Sequence, residues 1–139
     1  MILTDTNVLS ALMQAQPDQA VVYWLDRQPR ASVWIASITV LEIRFGLEIM
    51  TAGRRRSALS AAFERLLSEV IESRIASFDS AAAEEAAKLM ASRKAHGQPG
   101  ELRDMMIAGI ALASRAAIAT RNVRHFADVS CQIIDPWSA

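Results

Sequence analysis

Apolar residues along the chain fall into short continuous runs, separated by longer stretches in which they recur every three or four positions. This alternation predicts buried strands interleaved with amphipathic helices. Met1-Ile2-Leu3-Thr4 is a β-compatible run that stops at Asp5. Asp5, Thr6 and Asn7 then carry side chains able to cap a helix running from Val8 to about Met13. Pro17 opens a second helical pattern, through Val21, Val22 and Leu25, which closes near Gln28-Pro29. Val33-Trp34-Ile35-Ala36 reads as a second buried strand, and Ser37 and Thr39 open a third helix containing Leu41, Ile43, Phe45 and Leu47. Gly53 breaks that helix. A fourth begins at Arg54-Arg55-Arg56 and carries Leu59, Phe63, Leu66, Leu67 and Val70. Ile75 to Phe78 is a third strand candidate. Asp79 and Ser80 cap an alanine-rich helix reaching to about His96, where Gly97, Pro99 and Gly100 stop it. Glu101 to Arg115 forms a sixth helix, Ala116 to Thr120 a fourth strand and Gln132 to Ile134 a fifth.

Strands that are almost wholly apolar and alternate with helices describe an α/β fold, with a mainly parallel sheet of four to five strands covered on both faces. No linker, repeat or low-complexity stretch interrupts residues 1–139, so one domain is expected. Composition supports a packed core, with 52% apolar residues. The 15 basic and 15 acidic side chains cancel, which argues against holding nucleic acid by bulk positive charge. It does not exclude a nuclease whose positive charge arrives as metal ions. The single cysteine, Cys131, reads as a small buried side chain. With no basic leader-like start and no apolar run of membrane length, a cytoplasmic protein is expected.

In an open parallel sheet, ligands gather beyond the carboxyl ends of the strands. Asp5 lies just past strand one, Ser37 to Thr39 past strand two, and Arg121-Asn122 past strand four. Glu42 sits one turn into the third helix, and Asp104 one turn into the sixth, among Met105, Met106, Ile107 and Ile110. Each acid has a local explanation. Asp5 can cap a helix, Thr39 to Glu42 matches a capping box, and Asp104 suits a helix N-terminus or a pairing with Arg103 or Arg115. The topology nevertheless brings all three to one rim. Two like charges about 5 Å apart repel by roughly 3 kcal/mol at an effective dielectric near 20, so such a cluster takes up a cation or a proton. Hard oxygen ligands without histidine or cysteine select Mg²⁺ or Mn²⁺, and such ions serve phosphoryl transfer.

The segments MILTDTNVLS, ASITVLEIRFGL, ELRDMMIAGIAL and IATRNVRHF, in that order, resemble the PIN-domain family, and within it the VapC-type ribonuclease toxins of bacterial toxin–antitoxin pairs. The four motifs span nearly the whole chain. The resemblance implies a three-layer α/β/α fold and an endoribonuclease dependent on Mg²⁺ or Mn²⁺. It assigns catalytic acids to Asp5, Glu42 and Asp104, with Asp5 and Asp104 as the metal ligands. The family often has an aspartate where this chain has Asn122. The amide can orient a water but removes one negative charge, which bears on any second metal ion. Thr6 and Thr120 are candidates for hydrogen-bonding support of the acids. The resemblance also implies an RNA substrate, a homodimer and a cognate antitoxin lying over the acidic pocket, with helices three and four as candidate walls for an apolar docking groove.

Among other features, Arg103, Arg121 and Arg124 adjoin the acids in sequence and are candidate phosphate contacts. The run Arg54-Arg55-Arg56 reads first as a solvated helix start, His96 and His125 as surface residues, and Trp24, Trp34 and Trp137 as packing. A phosphatase with an aspartyl nucleophile would need a second acid two residues after Asp5, and position 7 is Asn. The competing class is a catalytically weak subunit that supports a DNA-binding antitoxin in transcriptional autoregulation, an idea fed by Asn122.

Overall fold

The computed structural model describes residues 1–139. Five strands form one wholly parallel sheet: β1 (Ile2–Thr4), β2 (Val33–Ala36), β3 (Ile75–Ala76), β4 (Ala117–Ala119) and β5 (Ile133–Ile134), in the spatial order β3-β2-β1-β4-β5. Six helices connect and cover them: α1 (Thr6–Met13), α2 (Gln19–Asp26), α3 (Ser37–Ile49), α4 (Arg54–Arg65), α5 (Ser80–Ala95) and α6 (Leu102–Ser114). The expected α/β architecture is therefore present, with β1 at its centre. From β1 the chain builds outward to β2 and β3, then returns to β1's other edge to add β4 and β5. This reversal opens a crevice at the carboxyl ends of β1 and β4, where parallel sheets bind ligands.

Register explains the layering. Leu3 lies opposite Trp34 and Ile118, and these side chains pack in a cluster with Met105, Ile107 and Ile110 of α6 and Ala82 and Leu89 of α5. Val33 and Ile35, one residue out of step, point the other way, into a cluster with Leu9, Ile43, Leu47 and Phe63 from α1, α3 and α4. Period-two alternation thus feeds both layers from the same short strands. Helices α5 and α6 are in close contact at Gly109, where an added Cβ would lie 2.4 Å from the Ala82 carbonyl oxygen and 2.9 Å from Ala86 Cβ.

The strands are shorter than their apolar runs. β3 stops at Ala76, and Phe78 N–H instead donates to Ser37 Oγ at 3.1 Å. Helix α1 starts at Thr6 rather than Val8, and α2 at Gln19, capped by Asp18, rather than at Pro17. α4 runs on into a π-helical turn (Leu66–Ile71) that the apolar spacing does not announce. It ends with Glu72 and Ser73 in left-handed backbone, φ 50° and 65°. Arg74 secures this turn: its guanidinium donates to the carbonyls of Val33 at 2.9 Å, Arg30 at 2.8 Å and Val70 at 2.7 Å. No helix is long and apolar enough to cross a membrane.

Candidate active site

Asp5 follows β1 directly and caps α1 from an extended backbone, its Oδ1 accepting Thr6 N–H at 2.8 Å. Capping uses only one oxygen. The other, Oδ2, accepts the Thr120 hydroxyl at 2.8 Å and the Asn7 amide at 3.3 Å, so this 6% exposed carboxylate is anchored to the ends of both central strands. A buried carboxylate needs such partners. Thr120, after β4, also accepts Asn122 N–H at 3.0 Å, which leaves its hydroxyl proton directed at Asp5.

Glu42 does not close a capping box. Thr39 lies within α3, fully buried with its hydroxyl unpartnered, and the residue preceding the helix is Ala36. Glu42 Oε1 instead accepts the Thr6 hydroxyl at 2.9 Å, and Oε2 lies 3.8 Å from Arg103 Nη1. Asp104, in the first turn of α6, pairs with neither Arg103 nor Arg115; its Oδ2 lies 3.0 Å from His125 Nδ1. Burial holds the Glu42 carboxyl above the usual range, and the charges of Asp5 and Asp104 push it further against the pull of Thr6 and Arg103. Asp104 is likewise raised, first by burial and then by Asp5, against the attraction of His125. Mutual repulsion of this kind means that the three acids, 37 to 99 positions apart in sequence, share one electrostatic neighbourhood.

They do not form a closed cage: no three His, Cys, Asp or Glu side chains are placed to hold one ion by themselves. Mg²⁺ does not require one, since it usually keeps several waters and takes one or two carboxylates. Hard oxygen donors whose mutual repulsion Arg103 and His125 only partly offset fit such an ion. The expected tight triad is thus a looser rim.

Of the other sequence candidates, Thr6 and Thr120 hydrogen-bond to the acids, as anticipated. Asn122 joins through its backbone N–H, while its side chain lies exposed at the rim. Arg103 is committed to Glu101 at 2.8 Å and stands near Glu42. Arg124 lines a polar cavity of about 420 Å³ together with Asp104 and His125. Arg121 lies on the opposite flank, its guanidinium 4.6 Å from the Trp137 ring centre. Two residues make contacts that their sequence setting does not announce. Asn7, taken only as a cap, bridges α1 to β4: besides Asp5 its amide reaches Thr120 Oγ1 at 3.4 Å, and its carbonyl accepts Arg121 N–H at 3.1 Å. His125 is a surface residue, as its loop position suggests, and is also the partner of Asp104. It sits on a short 3-10 turn (Val123–Phe126) pinned by Arg93, which donates to the His125 carbonyl at 2.7 Å and grips Asp128 with two bonds.

The PIN-domain family model matches residues 2–130 of the chain. The chain belongs to the PIN-domain family. Two relatives align along almost their whole length. The VapC ribonuclease Y4jK of Sinorhizobium fredii is 39% identical over 137 residues, covering 99% of this chain and 98% of the relative. Toxin FitB of Neisseria gonorrhoeae is 32% identical over 137 residues, with 99% of each covered. Among solved structures, that of FitAB bound to an IR36 DNA fragment superposes with a TM-score of 0.88 at 32% identity, covering 99% of this chain and 96% of that one. The parallel five-stranded sheet and its six helices are those of the PIN fold. Within that PIN fold, the crevice between β1 and β4 holds Asp5.

Proposed function

We propose that this PIN-domain chain is a metal-dependent endoribonuclease and the toxin of a type II toxin–antitoxin pair. The observation that carries the reading is the rim itself. Three carboxylates from different elements meet at the crevice, each with its own donor (Thr120 on Asp5, Thr6 on Glu42, His125 on Asp104), and two are raised by burial and mutual repulsion. The names of the VapC ribonuclease and FitB toxin relatives support the same reading.

Asp5 and Asp104 would hold one Mg²⁺ or Mn²⁺, directly or through water. When bound, the ion supplies charge neutralisation at the phosphate and a more acidic water. The chain's own residues do the rest. Asp5 is fixed by three hydrogen bonds, so its position does not depend on a bound ion. Glu42, with Oε1 occupied by Thr6, keeps Oε2 for a proton. A carboxylate raised above its usual range is a better base for the attacking water than an ordinary one. Asn122, at the rim, would orient that water. One water O–H bond breaks as the proton passes to Glu42, an O–P bond forms, and the scissile P–O bond breaks with its electron pair on the departing oxygen. Arg124, exposed beside Asp104, would meet the backbone of the incoming RNA.

The antitoxin would use a cavity of about 820 Å³ floored by Leu12, Leu59, Ala62 and Leu66 and edged by Arg54, Arg55 and Arg65. Its walls are α1 and α4, where the sequence pointed to α3 and α4. Helix α3 instead exposes Leu41, Phe45 and Ile49, at 56%, 55% and 68%, on one stripe of i, i+4, i+8 spacing that suits a homodimer contact. A second reading, a subunit of a DNA-bound antitoxin assembly, is favoured by the DNA in the FitAB structure and is compatible with the first. The deciding experiment compares the wild type with Asp5→Asn on single-stranded RNA, with Mg²⁺, Mn²⁺ or EDTA, and maps fragment ends. Metal-dependent cuts by the wild type, absent in a normally folded variant, support the nuclease; equal cleavage by both sinks it.

A further inference from the structure

On the flank of the crevice away from Asp104, a polar cavity of about 410 Å³ opens between α1 and the C-terminal segment. Asn7, Gln14, Gln16, Asp18, Arg121 and Trp137 line it. Asn7 is the shared wall: the side chain that borders this cavity also touches Asp5 Oδ2 at 3.3 Å. We propose that this pocket is a nucleotide subsite next to the scissile bond, in which Arg121, laid over the Trp137 ring, takes a flanking phosphate of the RNA strand. The proposal rests on the ribonuclease reading and adds a path to it.

The pocket is assembled ahead of any ligand. Asp18 Oδ1 caps α2 through Ala20 N–H at 3.0 Å, and its Oδ2 accepts Trp137 Nε1–H at 3.0 Å, so the acid ties the ring to the start of α2. Trp137 N–H is in turn held by Asp135 at 2.9 Å. Arg121 rests over the fixed ring, and its backbone N–H is bound to Asn7. Its guanidinium has no carboxylate partner, unlike Arg93 with Asp128 or Arg103 with Glu101. Asp18 and Asp135 border the same surface without forming an ion pair with Arg121, so its exposed, pre-oriented fork of donors keeps its hydrogen bonds for a phosphate, and stacking on an aromatic ring limits the entropy lost when it binds. The amides of Gln14 and Gln16 supply both donors and acceptors for a base edge. Arg121 and Arg124 also border a common cavity of about 270 Å³ with Asn122 and His125, so the strand would run from Arg121 past Asn122 to Arg124, beside Asp104.

The test measures binding of a short single-stranded RNA by fluorescence anisotropy in EDTA across a salt series, for wild type, Arg121→Ala, Arg121→Lys and Trp137→Phe. The same proteins are then assayed for cleavage in Mn²⁺. Arg121→Ala should weaken binding about tenfold and flatten the slope of log K against log salt by about 0.7, the share of one phosphate on a single strand. In cleavage it should raise KM more than it lowers kcat. Arg121→Lys keeps the charge but not the stacked fork, and should keep the slope while recovering only part of the affinity. Trp137→Phe retains a ring face and should bind within about threefold of the wild type. A wild-type Kd, salt slope and KM in Arg121→Ala, with wild-type cleavage intact, overturns the subsite and leaves the nuclease standing. A lowered Tm with unchanged Kd assigns the Arg121–Trp137 pair to structure alone and also overturns it. A wild type that cleaves no RNA overturns the ribonuclease reading and this one with it.

Discussion

Replacing Asp104 by Asn should stabilise the metal-free protein while abolishing cleavage, two effects of opposite sign from one side chain. Asp104 is 19% exposed at its side chain, and its carboxyl is raised by burial and by Asp5. Two like charges about 5 Å apart repel by roughly 3 kcal/mol at an effective dielectric near 20, and by less as they separate. Solvent reaching the open cavity and the lost attraction to His125 offset much of this, leaving a gain of about 1 kcal/mol. An amide oxygen can still accept from His125 Nδ1, so the change leaves no donor orphaned. For 139 residues that gain is a rise in Tm of about 3–5 °C in EDTA. Saturating Mn²⁺ reverses the order, because an ion at 100 times its Kd adds about 2.7 kcal/mol to the wild type and little to the variant. Thermal denaturation of both proteins with and without Mn²⁺ should therefore give crossing Tm values. A variant less stable than wild type in EDTA, or stabilised equally by Mn²⁺, would refute the claim that Asp104 is held against repulsion to bind a cation.

Two further outcomes test the frame around the site. Arg93 draws the Asp128 carboxyl below its usual range through a two-bond contact, so this stabilisation is complete above the unfolded pKa near 4 and is lost as pH falls through the lowered folded value. Asp128→Asn should cost about 1–2 kcal/mol at pH 7, discounted because Asp128 is 47% exposed; in urea titrations the gap should stay level from pH 8 to 5 and narrow only below pH ~4. Gly109→Ala gains about 1 kcal/mol of helix propensity but drives a methyl against the Ala82 carbonyl, so a net loss of about 1–2 kcal/mol is expected in the same titrations; a more stable variant would show that α5 and α6 separate freely.

Much of the fold was legible because each strand is an apolar run ending in a polar residue. Asp5 after β1 and Thr120 after β4 mark the carboxyl edge of the sheet in the sequence itself. The three acids followed from that edge and from Asp104's apolar surroundings. What local spacing could not carry was partner choice. Thr39 and Glu42 have the spacing of a capping box, yet α3 begins two residues earlier, at Ser37, so Thr39 is turned into the core and Glu42 is free to meet Thr6. Asn7 looks like a cap because its real partners, Thr120 and Arg121, are 113 and 114 positions away. His125 looks solitary because Asp104 lies on another helix.

The partners of the acids have something in common. Asn7, Thr6 and His125 are neutral or switchable donors set against carboxylates, and their value exists only once the sheet has brought β1 and β4 together. A carboxylate betrays itself in sequence, because an acid beside an apolar run is costly wherever it ends up. An amide or hydroxyl in the same place costs little to leave in a cap or a loop, so sequence offers no tension to read. The acids therefore mark where the site is, and the neutral donors fix how each acid is held: both oxygens of Asp5 are bound, whereas Glu42 and Asp104 are each held through one oxygen and keep the other for a cation or a proton.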